Sequence, residues 1–214
     1  TVDDVIAEME KINGKDYTEV SFGALQDAIS KAKADKDQND PALDQANITA
    51  MKEAKAALVS IVDLKAALNE AAQHKAGTYT VSSYKLLKDA VTNAEPLKVN
   101  GTKEEVANAA AAIRAAIKGL DKRAVGLDEY RDSIVLKKPE GYTEESYAAY
   151  KNAYDALMAL DSKETTAEMF ANAKSAFEAA QAGLVQKPGS NGTGSSSNGT
   201  VSNGAVATGD TVNV

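Results

Sequence analysis

Tyr142-Thr143-Glu144-Glu145-Ser146-Tyr147 is the stretch on which the fold turns, because it is the third copy of one pattern. The earlier copies are Tyr17-Thr18-Glu19-Val20-Ser21-Phe22 and Tyr79-Thr80-Val81-Ser82-Ser83-Tyr84, a repeat of about 62 residues. That period is too long for a short solenoid unit and suits a minimal helical domain standing in an array.

Each copy reads as a helix start. With Thr18 as the N-cap, Tyr17 precedes the cap and Phe22 is the fourth helical residue, so the two aromatics occupy the ends of a hydrophobic staple. Tyr79 with Tyr84, and Tyr142 with Tyr147, repeat the arrangement. The threonine hydroxyl satisfies an orphan N–H of the first turn, worth about 1 kcal/mol. Glu19, Glu144 and Glu145 place negative charge where the helix dipole favours it.

Downstream of each start, apolar residues recur at helical spacing: Phe22, Leu25, Ile29; Tyr84, Leu87, Val91; Tyr147, Tyr150, Tyr154. A further helix then opens in each copy. Asp40 caps the first, with Pro41 in its first turn, and Thr102 to Glu105 and Thr165 to Glu168 form capping boxes for the others. These closing helices are alanine-rich and align at Ala56-Ala57, Ala115-Ala116 and Ala179-Ala180, which lets axes approach closely. A shorter leading helix is predicted over Val2–Ile12, Leu64–His74 and Leu127–Leu136.

The expected fold is therefore all-α: three tandem three-helix bundles at 1–62, 63–123 and 124–187, forming an elongated array. Composition agrees, since aromatics are only 5% of the chain and alanine supplies much of its apolar content. At the first joint the stripe from Met51 through Leu58 and Leu64 to Ala71 contains no Gly or Pro, so the closing helix is expected to run on into the next unit. Gly119 and Gly126 bracket the second joint and predict a bend or break. Helices of about 20 residues at 1.5 Å rise would give a rod of about 90 Å. From Pro188 to Val214, Gly, Ser, Asn and Thr dominate with Asp210 the only charge, the composition of a disordered linker.

Charge and inventory exclude several function classes. A net charge of −7 leaves no basic stripe for nucleic acid and no attraction to an anionic membrane surface. No run approaches the roughly 18 apolar residues of a membrane helix, so direct insertion is not expected. There is no cysteine and His74 is the only histidine, which removes a thiol nucleophile and leaves the repeated serines without a base. Asp3-Asp4, Glu104-Glu105 and Glu144-Glu145 are paired carboxylates, but their first-turn positions mark them as helix-capping charge. The Asp35–Asp40 loop lacks the Gly and the bidentate Glu of an EF-hand. Catalytic residues, cofactors and metal ligands are accordingly expected to be absent.

The Tyr-Thr-x-x-Ser-aromatic pattern followed by a capped alanine-rich helix resembles the FIVAR modules of Gram-positive bacterial extracellular proteins, and all three copies carry it. The resemblance implies three-helix bundles in tandem, found in adhesins and beside catalytic or carbohydrate-binding modules of secreted glycoside hydrolases. FIVAR modules usually carry tryptophan after the serine, where this chain has Phe22, Tyr84 and Tyr147, so no surface role of that tryptophan carries over. Thr208-Gly209-Asp210-Thr211 is similar to a stretch that many clostridial-type surface proteins place before a C-terminal membrane helix. This implies an extracellular protein held at the cell surface through a segment beyond Val214, with the sequons at Asn47, Asn100, Asn191 and Asn198 read as chance matches.

The implied role is a non-catalytic monomeric stalk that positions other modules of its polypeptide. The alternative is an accessory module that binds glycans or host extracellular proteins. Sugars stack on exposed aromatic faces. Of the eight tyrosines, the staple takes Tyr17, Tyr79, Tyr84, Tyr142 and Tyr147, and core-aligned positions take Tyr150 and Tyr154, leaving Tyr130 as the candidate for ligand contact.

Overall fold

A computed structural model of the chain describes residues 1–189. The expected linker and its Thr-Gly-Asp-Thr stretch fall mostly on residues 190–214, outside the described residues. Among those described, the fold is all-helical, with isolated two-residue bridges and no extended strand. The helices are α1 (Val2–Met9), α2 (Glu19–Asp35), α3 (Pro41–Ala56), α4 (Val62–Ala71), α5 (Val81–Ala94), α6 (Leu97–Asn100), α7 (Lys103–Lys118), α8 (Leu127–Asp132), α9 (Glu144–Met158) and α10 (Ala167–Ala182).

Their buried side chains gather in three clusters. Ile6, Met9, Leu25, Ile29 and Met51 bring α1, α2 and α3 together. Leu64, Leu87, Val106 and Ile113 do the same for α4, α5 and α7, and Leu127, Tyr150, Leu157 and Phe177 for α8, α9 and α10. The three sets of helices are called the first, second and third units below. The periodicity that predicts each stripe holds because these positions fall on one helical face and remove apolar area from water, worth about 25 cal/mol per Å².

Local capping sets most helix starts as expected. Thr18 and Thr80 accept the Ser21 and Ser83 N–H groups, whereas Thr143, the third copy, makes no side-chain cap bond, and Asp40 accepts from Ala42 and Leu43 ahead of Pro41. Thr102 and Glu105 form a reciprocal box, as do Thr1 and Asp4. The third closing helix departs from expectation: Thr166, not Thr165, is its cap and bonds Met169 N–H, so Glu168 does not complete a box. Thr165 is instead buried, with its N–H donated to Asp161 O at 2.8 Å.

Two further expectations are corrected. The leading helices stop about one turn early, at Met9, Ala71 and Asp132, because the next amides bond three residues back and tighten the chain into a turn: Ile12 N–H to Met9 O, His74 N–H to Ala71 O, Ile134 N–H to Arg131 O. The helix expected to cross the first joint also ends, at Ala56, although no Gly or Pro stands there. Val59 and Ile61 give their backbone groups to residues near Tyr17, and those tertiary hydrogen bonds outweigh helix propensity. In the second unit the spacer between α5 and α7 is partly helical, as α6.

The second joint breaks where its glycines predict. Gly119 ends α7, and Gly126 stands at φ +78°, in the left-handed region, just before α8.

Candidate functional site

The repeated residues converge on one device, a clasp that closes each unit. Thr18 donates its N–H to Val59 O at 2.9 Å, and Ser21 Oγ accepts Val59 N–H at 3.1 Å. Thr80 and Ser83 hold Asp121 in the same way at 2.9 and 3.2 Å, and Thr143 and Ser146 hold Val185 at 2.8 and 3.1 Å. Two residues beyond each held residue, Ile61, Arg123 and Lys187 donate to Asp16 O, Thr78 O and Gly141 O. Each pair of bonds makes a short antiparallel bridge, joining Tyr17 to Ser60, Tyr79 to Lys122 and Tyr142 to Gln186. The chain leaving each closing helix is thereby pinned beside the start of the unit's middle helix.

Within the clasp the serine hydroxyls are fully engaged. Ser83 Oγ donates to Thr80 O at 3.3 Å and accepts both Asp121 N–H and the Thr80 hydroxyl, the latter at 2.8 Å. Ser21 has the same three partners in its own unit. A hydroxyl so committed, with a carbonyl as its acceptor, has no base to make it a nucleophile.

The aromatic members of the repeat make their ring contacts outside the expected staple pairs. Ring contacts among the described residues join His74 to Tyr79, Tyr130 to Phe170, Tyr147 to Tyr150, and Phe177 to both Tyr150 and Tyr154, but none joins Tyr17 to Phe22, Tyr79 to Tyr84 or Tyr142 to Tyr147. Five of the six repeat rings have a local partner. Phe22 lies over Gly14, where a Cβ would meet its ring at 2.3 Å. Tyr79 and His74 share a hydrogen bond of 2.8 Å between Oη and Nδ1, Tyr84 Oη reaches His74 O at 3.4 Å, and Tyr147 Oη donates to Lys137 O at 2.9 Å. Tyr142 has the Lys137 ammonium 5.8 Å from its ring centre. Tyr150 is fully buried, as its core alignment predicts, with its hydroxyl accepting Lys137 N–H.

Tyr130, the candidate for ligand contact, is half-buried on α8. Its hydroxyl donates to Glu178 Oε1 at 3.1 Å, the Lys174 ammonium lies 4.7 Å from its ring centre, and Phe170 meets it edge-on at 5.7 Å. Burial first, and then the Glu178 carboxylate, hold the phenol above its ordinary titration range.

Beside it, a cleft of about 440 Å³ opens at the second joint, between Thr78, Lys122, Arg123, Val125, Leu127 and Glu129. Its lining mixes both charges. Among the described residues no group of three or more His, Asp or Glu side chains is placed to hold a metal ion, and no helix is long and apolar enough to cross a membrane.

The clasp's carbonyl and amide partners, Val59, Asp121 and Val185, and the joint residue Glu164 had no signal in the sequence pattern. A backbone group carries no side-chain identity, and Glu164 stands alone in a polar loop.

No known protein family, curated protein or solved structure matches this chain.

Proposed function

We propose that the chain is a non-catalytic spacer, an array of three FIVAR-like three-helix bundles that holds other modules of an extracellular bacterial polypeptide apart. The observation that supports this most is the clasp. The most distinctive polar residues of the repeat are consumed in tying each unit's exit back to its own middle helix. A unit closed in this way passes the chain on from a defined point, which is what a spacer of set length needs. The alternative is ligand contact through Tyr130, whose hydroxyl donates to Glu178 and whose ring lies by the Lys174 ammonium.

Small-angle X-ray scattering tests the geometry. A compact chain of this length has a radius of gyration of about 17 Å. The spacer reading expects a value well above that and a skewed distance distribution, and a compact particle would overturn it. A glycan and matrix-protein array tests the alternative, which gains ground if saturable binding is abolished by Tyr130→Ala.

A further inference from the structure

The second and third units meet where a loop of the third reaches the start of α5. Lys163 O accepts Val81 N–H at 3.1 Å and Arg123 and Thr166 form an isolated bridge, while within the third unit Thr165 O accepts Ala124 N–H at 2.8 Å. Between these backbone contacts lies Glu164. Its carboxylate accepts Ser82 N–H at 3.1 and 3.2 Å and the Ser82 hydroxyl at 2.6 Å, across 82 residues of sequence.

Ser82 is the second residue of α5, so its N–H is one of the orphan donors that no intrahelical carbonyl can reach. The third unit thus supplies a charged cap to a helix of the second, where the dipole adds to the hydrogen bonds. The loop that presents Glu164 is itself fixed. Asp161 O accepts the Glu164 and Thr165 amides, Asp161 Oδ1 accepts Lys163 N–H at 2.8 Å, and Arg131 Nη1 holds the end of α9 through Leu160 O at 2.7 Å.

The first joint has no counterpart of this pair. By the repeat, Ser82 corresponds to Val20, which has no hydroxyl, and Glu164, two residues before the cap Thr166, corresponds to Asn100, two before Thr102. The α2 to α6 contact there is supplemented by Lys65 Nζ to Lys15 O at 3.2 Å and Lys103 Nζ to Ala56 O at 3.1 Å, bonds from long exposed side chains. In the third unit the Ser82 position is Glu145, whose charge would repel a second carboxylate.

We propose that Glu164 is a latch, a positioning residue that locks the third unit onto the second across the glycine-bracketed joint, so that these two units move as one body. The latch rests on the joint's geometry and is independent of whether the array spaces modules or binds a ligand.

Two measurements on the full chain test it. Amide hydrogen exchange read by NMR should find Ser82 N–H protected, and Glu164→Ala should cut that protection by about tenfold or more, the size of one hydrogen bond to a charged acceptor. Glu145 N–H, the equivalent donor in α9, serves as the unprotected control. Because the chain has no cysteine, spin labels at Lys88→Cys and Ser175→Cys, both exposed, report a single distance between the units. That distance should be narrowly distributed and should broaden in Glu164→Ala and in Ser82→Ala, with helicity unchanged. An unprotected Ser82 amide in the parent chain overturns the latch, as does a distance distribution equally narrow with and without Glu164.

Discussion

The hydroxyl of Ser83 accepts the backbone N–H of Asp121 at 3.2 Å, from a residue 38 positions further along the chain. The same hydroxyl is joined to both the hydroxyl and the carbonyl of Thr80. A side chain in the first turn of α5 is therefore the closing bond of a whole unit.

Ser83→Ala removes all three bonds at a buried site and leaves the Asp121 amide without its partner. The expected loss is about 1–3 kcal/mol of stability, since each hydrogen bond removed is worth about 0.5–1.5 kcal/mol net. Ser146→Ala, at a more exposed copy of the clasp, should cost less, since water can replace the hydroxyl. Urea denaturation of the two variants gives the comparison, and equal losses would contradict it.

Gly14 and Gly77 both stand in the short helical turn ahead of α2 and α5, at its first and second positions, and only one is closely packed. A Cβ on Gly14 meets the Phe22 ring at 2.3 Å, whereas one on Gly77 meets nothing within 4 Å. Gly14→Ala should therefore destabilise by about 1–3 kcal/mol as an overpacked contact, and Gly77→Ala should be close to neutral. In the double variant Gly14→Ala with Phe22→Ala the two costs should fall short of their sum, because the clash goes with the ring.

Glu105 gives a pH dependence with a defined sign. Its carboxyl is held below the ordinary glutamate range, first by the Thr102 backbone N–H and then by the Thr102 hydroxyl. Because the folded form titrates lower than the unfolded one, the box stabilises fully above the unfolded value of about 4.3 and loses that contribution as pH falls through the lower folded value. Thermal melts from neutral to acid pH should show a steeper decline for the parent than for Glu105→Gln, which cannot titrate.

Tyr130 should titrate above the ordinary tyrosine range. Burial is the larger cause and the Glu178 carboxylate the smaller, so Glu178→Gln should lower the midpoint only part of the way towards the ordinary tyrosine value of about 10. Ultraviolet difference titration of parent and variant reads this directly, and complete reversion would make the carboxylate the main cause.

The sequence alone determined what depends on groups within a turn of one another. Thr18, Thr80 and Asp40 cap where they are read to cap, the Thr102–Glu105 box forms, the apolar stripes are buried, and Gly119 and Gly126 break the second joint. Such contacts lie three or four residues apart, and side-chain identity encodes them. Tertiary structure decided the rest: that α3 stops at Ala56 with no helix breaker present, that Thr166 displaces Thr165 as a cap, that Ser83 holds Asp121, and that Glu164 reaches Ser82. Each of those outcomes turns on a hydrogen bond or a packing contact with a residue that becomes a neighbour only when the chain folds. Backbone amides take part in most of them, and every non-proline residue has one, so no pattern of side chains announces which will be used.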